Sequence, residues 1–193
     1  IRRNGLIAIG LREEDELISV RLTDGKKQVI IGTHDGMLVR FNEEDIRAMG
    51  RTAAGVRGIK LREGDYVVDM EILEEGQEIL VVTEKGYGKR TPESEYRLQS
   101  RGGVGIKTIQ VTEKNGPMCA VKTVNGTEDV MLITINGMLI RMDINDISVI
   151  GRNTQGVRLI RLADDELVAT VAKLEKEDEA EMDDSIESEE TAE

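Results

Sequence analysis

Arginine and lysine recur along this sequence at fixed distances from a set of glycines, and they are the residues best suited to hold a ligand. Arg40, Arg90 and Arg141 each lie four residues after one type of glycine, with Lys89 beside the second of them. Arg51, Arg101 and Arg152 lie four residues before a second type of glycine, and Arg57, Lys107 and Arg158 lie two after it. Lys60 and Arg161 lie five after it, where Gln110 interrupts the line. A solvated strand face accounts for any one of these residues. Registers that repeat in phase do more, because equivalent residues of a stacked repeat occupy equivalent places and each register becomes a stripe. Striped cations, with backbone amides from glycine-rich turns between them, suit phosphates strung along a duplex. Aromatics make up only 2% of the chain (Phe41, Tyr66, Tyr87 and Tyr96) and there is no Trp. That scarcity counts against stacking platforms for single strands.

Other chemistry is thinly supplied. One cysteine, Cys119, excludes a disulfide framework and a cysteine-based zinc site. One histidine, His34, excludes a histidine-rich metal site and leaves little for a catalytic triad. His34 precedes Asp35-Gly36 and reads as part of a turn. Glu13-Glu14-Asp15 and Asp164-Asp165-Glu166 lack the spaced oxygen ligands of a calcium loop, so they read as solvated turns. Cys119 adjoins Ala120 and reads as core. Strictly apolar runs never exceed four residues, as in Leu6–Ile9, so no membrane-spanning helix and no membrane partner are expected. The chain opens on Ile1 rather than Met and is read as a fragment.

The elements that position the cations emerge from the glycines. Gly5, Gly55, Gly105 and Gly156 are spaced by about fifty residues, and Gly36, Gly86 and Gly137 form a second register in the same phase. Apolar residues fall one, four and six places after each leading glycine: Leu6, Ile9 and Leu11, then Val56, Ile59 and Leu61, and so on. These are expected in the core. A period near fifty means supersecondary units that need neighbours to cover their apolar faces. Each unit reads as four strands. The first follows the leading glycine. The second covers Glu16–Thr23, Tyr66–Leu73, Met118–Val124 and Glu166–Leu174. The third covers Val29–Thr33, Ile79–Thr83 and Val130–Thr134, and the fourth begins at Met37, Tyr87 and Met138. Asp35-Gly36, Lys85-Gly86 and Asn136-Gly137 suit two-residue hairpin turns with positive φ at both positions. A short acidic turn follows, with Asn42, Thr91 or Asp143 as candidate cap, and then an anchor at Ile46, Tyr96 or Ile147. The fold class is therefore all-β and propeller-like, an open arc of repeats at about 5–54, 55–104 and 105–155 with a half repeat at 156–174. Residues 1–174 form the expected domain.

The formal net charge is −12, from 26 Lys and Arg against 38 Asp and Glu. Eleven of the acids and one base lie in 175–193, so the body is close to neutral and the tail holds the excess. Such a tail is too polar and too self-repulsive to offset its ordering entropy and is expected to be disordered. It serves solubility, or it mimics nucleic acid and competes for a basic surface.

Particular stretches add a resemblance. Leu38-Val39-Arg40-Phe41, the run from Met49-Gly50-Arg51-Thr52-Ala53 to Gly58-Ile59, Arg101-Gly102-Gly103-Val104-Gly105 and Arg152–Arg158 resemble the C-terminal domain of the DNA gyrase A subunit. The resemblance covers nearly the whole chain. It implies a β-pinwheel, a propeller-like disc whose blades exchange strands, with duplex DNA wrapped on a basic rim in support of ATP-dependent negative supercoiling by a type II topoisomerase. The family domain has about six blades, so the first ones are not in this sequence. The family's signature heptapeptide belongs to the first blade. Its nearest counterpart, Gln99–Gly105, is a degenerate copy with both flanking bases replaced. The resemblance puts the cleaving tyrosine in an upstream domain, not at Tyr66, Tyr87 or Tyr96, so this chain carries no catalytic residue and no cofactor. ATP and Mg would sit on other domains or on the ATPase B subunit of an A2B2 holoenzyme, in the bacterial cytoplasm at the nucleoid. The competing readings are the related A subunit of topoisomerase IV and a non-catalytic, propeller-like protein-interaction scaffold. Repeat regularity and the acidic tail favour gyrase.

If the tail competes for the cations, cutting the chain after Leu174 tightens duplex binding most at low salt and hardly at high salt, where screening shortens its reach. Filter binding of cut and uncut chains across a salt series checks this, and a tail that only aids solubility gives equal affinities throughout.

Overall fold

The computed structural model describes residues 5–176, and the expected disorder of the acidic tail lies almost wholly outside them. Eleven strands follow one another: β1 (Gln28–Thr33), β2 (Met37–Asn42), β3 (Val67–Leu73), β4 (Glu78–Thr83), β5 (Tyr87–Pro92), β6 (Ile106–Lys107), β7 (Met118–Val124), β8 (Glu128–Thr134), β9 (Leu139–Asp143), β10 (Val157–Arg158) and β11 (Val168–Glu175). The only helical elements among the described residues are single 3-10 turns at Glu43–Asp45, Glu93–Glu95 and Ile144–Asp146. Of the expected caps, only the Asp143 side chain accepts from an amide of its turn.

No sheet is built from one repeat. The first has the order β3-β1-β2-β6, the second β10-β5-β4-β7 and the third β11-β8-β9. In each, a hairpin from one repeat takes the second strand of the next repeat on one side. The first two sheets also take two residues from the repeat after that on the other side. All pairings within these sheets are antiparallel, from Val29↔Phe41 and Val29↔Ile72 in the first sheet to Val130↔Met142 and Val130↔Lys173 in the third. This is the strand exchange of a β-pinwheel.

The exchange explains where the sequence reading fails. Residues 6–11, 16–23 and 56–61 were expected as strands and form none. By the pattern of the other repeats, their partners are hairpins that precede β1, and no such hairpin is among the described residues. Leu6, Ile9 and Leu11 were expected in the core and are exposed at 62%, 39% and 53%. The same position as Ile9 in later repeats, Ile59, Ile109 and Ile160, is buried because there a sheet is present to pack against, as Ile59 packs on Val29, Val39 and Phe41.

Apolar alternation fills the spaces between sheets. Ile30, Leu38, Ile79, Val81, Tyr96 and Ile109 pack between the first two sheets, and Leu80, Val82, Val130, Leu132, Ile147 and Ile160 pack between the second and third. Two of the expected anchors, Tyr96 and Ile147, are thus core. Edge strands β3, β7 and β11 lie beside one another at the hub. There Lys122 Nζ donates to Asp69 Oδ2 at 2.7 Å and Glu71 Oε1 at 2.9 Å, and Arg21 donates to both oxygens of Glu71. Burial alone would raise the Glu71 carboxyl, but the Arg21 and Lys122 hydrogen bonds outweigh it and hold it below the usual range.

The hairpin turns are one residue longer than expected. Thr33, Thr83 and Thr134 each accept from the amide of the glycine three residues on, at 2.9–3.0 Å. Only the glycine has positive φ (77°, 75° and 84°). These are three-residue loops ended by a left-handed glycine, a recognised alternative to the two-residue turn.

The leading glycines give a direct test of strand exchange. All have positive φ, but a Cβ on Gly105 would stand 2.6 Å from Leu38 O, one on Gly156 2.8 Å from Gly88 O, and one on Gly55 would meet nothing within 4 Å. Gly55→Ala therefore costs only the left-handed penalty of about 1–2 kcal/mol. Gly105→Ala and Gly156→Ala should each cost about 1–3 kcal/mol more through overpacking. Urea melts of the three variants measure the difference.

Candidate nucleic-acid interface

The outer edge of the arc is assembled by a repeated backbone pairing. The residue five places after a leading glycine donates its amide to the loop that precedes the next leading glycine. The bonds are Gly10 N to Ala53 O at 3.3 Å, Lys60 N to Gly103 O at 2.8 Å and Gln110 N to Thr154 O at 2.8 Å. Gly102 N adds a bond to Gly58 O at 2.7 Å. Each repeat thus lays its leading segment against its own closing, Arg-containing loop.

Two arginines of that loop act on the paired leading segment. Arg101 Nη1 donates to Arg57 O at 2.6 Å, and Arg152 Nη1 donates to Lys107 O at 3.1 Å. Both are half-buried. The Arg152 guanidinium also lies 5.8 Å from the centre of the Tyr96 ring. Each guanidinium fixes the main chain of a residue whose own side chain, Arg57 or Lys107, is exposed. Arg51, Lys60, Arg158 and Arg161 are exposed as well. Of the candidate cations, these six are presented to solvent from the rim, while Arg101 and Arg152 hold two of them in place.

Around the second hairpin the rim deepens into a cavity of about 400 Å³ lined by Lys85, Tyr87, Lys114, Arg158 and Arg161, with Asp164 and Glu166 also on its wall. Arg158 donates to the Tyr87 hydroxyl from Nη2 at 2.9 Å and from Nε at 3.2 Å. Its Cζ and Lys114 Nζ lie 5.5 and 5.6 Å from the ring centre, within cation–π range. Four cations around one anchored ring suit an oxyanion held by charge-assisted hydrogen bonds. The sequence reading missed Lys85, Tyr87 and Lys114. Lys85 replaces Asp35 and Asn136 of the other hairpins, so no register announces it. Lys114 stands in a loop.

The remaining candidates are placed differently from the expectation. Arg40, Lys89, Arg90 and Arg141 were read as part of a phosphate-facing stripe, but the first three are turned into the body. Arg40 donates to Gln28 Oε1 at 2.7 Å, to Glu93 Oε2 at 2.6 Å and to the carbonyls of Glu93 and Tyr96. Arg90 is buried, bonded to Glu78 Oε2 at 2.7 Å and Ile147 O at 2.8 Å. Arg40 ties the outer strand of its hairpin to the acidic turn and anchor of the next repeat, and Arg90 ties its own to the anchor of the repeat after. Arg141 makes the corresponding bond to Asp129 at 2.7 Å, but its side chain is 53% exposed and, among the described residues, no further repeat's turn reaches it. Lys89 is fully buried, with Nζ on Gly151 O and Arg152 O. Burial pushes its ammonium down to about 8, against the opposing pull of Glu95. It anchors the loop that carries Arg152.

Fold and rim together define a β-pinwheel whose outer edge presents cations in phase. Known proteins share the sequence and the fold. The model of the DNA gyrase C-terminal domain, a β-propeller family, matches residues 1–24, 27–74, 77–116 and 128–175. The DNA gyrase A subunit of Halalkalibacterium halodurans is 67% identical over 190 residues, covering 98% of this chain and 23% of that protein. The same subunit of Staphylococcus aureus strain MRSA252 is 53% identical over 186 residues, covering 95% and 21%. The chain therefore spans less than a quarter of the length of these curated relatives. Among solved structures, a DNA topoisomerase IV C-terminal domain aligns with a TM-score of 0.84 at 26% identity, covering 94% of this chain and 57% of that one. A DNA gyrase A C-terminal domain aligns with a TM-score of 0.82 at 28% identity, covering 89% and 59%. The chain belongs to the DNA gyrase C-terminal domain family.

The two arginine environments differ enough to measure. Arg90→Met leaves Glu78 half-buried without its partner and should cost about 3–5 kcal/mol, as for other broken buried pairs. Arg141→Met removes an exposed pair and should cost below about 1 kcal/mol. Chemical denaturation of both variants checks the contrast.

Proposed function

We propose that the chain is the DNA-wrapping region of a gyrase A subunit, holding the backbone of duplex DNA on its rim. The observation that carries this reading is the presentation of Arg51, Arg57, Lys60 and Lys107 from one repeated backbone pairing, with Arg158 and Arg161 exposed in the same registers. Exposed cations on a rigid curved edge neutralise successive phosphates without reading base identity. A duplex bent along that edge exchanges deformation energy for the added contacts. Tyr87 is the rim's aromatic, and its ring is occupied by Arg158 and Lys114, which favours duplex over splayed single strands.

In this reading the chain contributes to an ATP-dependent type II topoisomerase without carrying its catalytic residues. Strand cleavage, ATP and Mg belong to the remainder of the gyrase polypeptide and to its B-subunit partner, in an A2B2 assembly working on the bacterial nucleoid in the cytoplasm. The fold alone favours topoisomerase IV as much as gyrase, since the two solved C-terminal domains superpose about equally well. The 67% identity to a gyrase subunit supports the gyrase assignment.

Duplex binding should be indifferent to sequence, with log K falling against log salt at a slope of roughly −4 to −5 if about four to six phosphates are neutralised. Arg57→Ala, Lys107→Ala and Arg158→Ala together should flatten that slope by up to about three units. Fluorescence anisotropy across a salt series reads both values. A protein-interaction scaffold gives no such slope, and an unchanged slope in the triple variant removes these residues from the interface.

A further inference from the structure

The turn of the first hairpin holds a cluster that the rim does not use. His34, Asp35 and Asp65 each offer one ligand atom, and the three atoms lie within 4.8 Å of one another. His34 Nδ1 is 3.5 Å from Asp35 Oδ1. That nitrogen is shut off from solvent and has no hydrogen-bond partner among the described residues. The other ring nitrogen, Nε2, faces Glu84 Oε1 of the second hairpin at 3.7 Å. Stacking on Tyr66, with ring centres 4.5 Å apart and planes 25° apart, holds the imidazole in this orientation. Asp65 is held too, because its Oδ1 accepts from the amides of Asp35 and Tyr66 at 3.0 and 2.9 Å.

The electrostatics of this corner are one-sided. Three carboxylates, Asp35, Asp65 and Glu84, converge on one imidazole, and among the described residues none of them pairs with Lys or Arg. The acids at the hub are answered instead, Asp69 and Glu71 by Lys122 and Arg21. A neutral imidazole with its proton on Nε2, on the Glu84 side, would present the Nδ1 lone pair to the two aspartates. Three electron-pair donors then converge with no positive charge between them.

We propose that His34, Asp35 and Asp65 form a binding site for a divalent transition-metal cation of the zinc type, with Glu84 as the carboxylate behind the imidazole. One nitrogen and two carboxylate oxygens suit such an ion, while calcium and magnesium favour all-oxygen shells. A tetrahedron with bonds of about 2.1 Å has edges of about 3.4 Å, and the Nδ1–Oδ1 separation is 3.5 Å. Asp35 is exposed, so the ion has an entry path and solvent can take the fourth position. Glu84 completes the carboxylate–histidine–metal arrangement that orients a ligating ring and raises its basicity. The site occurs once. The positions of His34 and Asp35 carry Glu84 and Lys85 in the second hairpin and Ile135 and Asn136 in the third. Occupancy would lock a joint, since His34 N donates to Tyr66 O and His34 O accepts from Met118 N, each at 2.9 Å. The ion would thus add to the bonds that tie the first hairpin to the approach to β3 and to β7 of the second sheet.

His34 is the sole histidine, so its imidazole resonances report on this site even if zinc also gathers elsewhere on the chain. Titrating the whole chain with ZnCl₂ at neutral pH should shift them saturably at one equivalent, with the Nδ1 resonance moving most. Asp35→Asn, which alters an exposed side chain, should weaken the midpoint at least about tenfold, and Glu84→Gln about tenfold through loss of the carboxylate behind the ring. The same amount of MgCl₂ should leave the resonances in place. Resonances unmoved by a large excess of zinc overturn the proposal. So does an unchanged midpoint in Asp35→Asn, which shows a ring binding alone, or an equal response to magnesium, which shows a diffuse ion atmosphere.

Discussion

The hydrogen-bonding needs of the hairpin edges govern the rest of this structure. Each hairpin leaves two rows of backbone donors and acceptors open, and nothing in its own repeat covers them. The second strand of the next repeat covers one edge, as β3 covers β1 and β7 covers β4. The first residues of the repeat beyond cover part of the other, as β6 covers β2 and β10 covers β5. Every repeat is therefore shared among neighbouring sheets. Cores form between sheets because strands are already committed across them.

The rim inherits its order from the same commitment. A leading segment that pairs with the closing loop of its own repeat is fixed in position, so its exposed side chains recur at a constant spacing. The repeated basic residues then divide into three kinds of work. Arg40 and Arg90 bind carboxylates and carbonyls inside the arc, where a fork of donors satisfies several acceptors at once. Arg101 and Arg152 lie at the boundary and grip main-chain carbonyls. Arg57, Lys107 and Arg158 stand outside. Lys89, buried with a lowered pKa, belongs with the first group and secures the loop that carries Arg152 of the second.

Much of this was legible in the residues. The two glycine registers and the alternation of apolar residues located the paired strands closely, with Met118–Val124 matching β7 and Tyr66–Leu73 exceeding β3 by one residue. The all-β class follows from the same pattern. What the pattern could not carry was the identity of partners. An arginine four residues after a hairpin glycine reads the same whether it faces solvent or meets Glu93 from another repeat. The acids that decide the matter, Glu78 and Glu93, sit in a strand and a turn where carboxylates are ordinary. Leu6, Ile9 and Leu11 repeat the apolar pattern faithfully, yet burial depends on a sheet elsewhere in the array. The Tyr87 cavity stayed hidden for the opposite reason, since Lys85 and Lys114 break the repeat rather than follow it.

Sharing strands across three repeats also sets the order in which the molecule can be made. On a ribosome, β1 and β2 emerge together and can close their hairpin at once, a local event on the microsecond scale. The first sheet still lacks β3 and β6. The wait from Asn42 to Lys107 lasts roughly 3 to 13 seconds at 5–20 residues per second. Throughout that interval Ile30, Leu38 and Val39 have no complete cover, and the outer edge of β2 is open to any extended segment nearby. The nascent array thus always trails an unfinished blade. The segments best fitted to that edge by sequence are its own later repeats, in cis, at the high local concentration that a short tether provides.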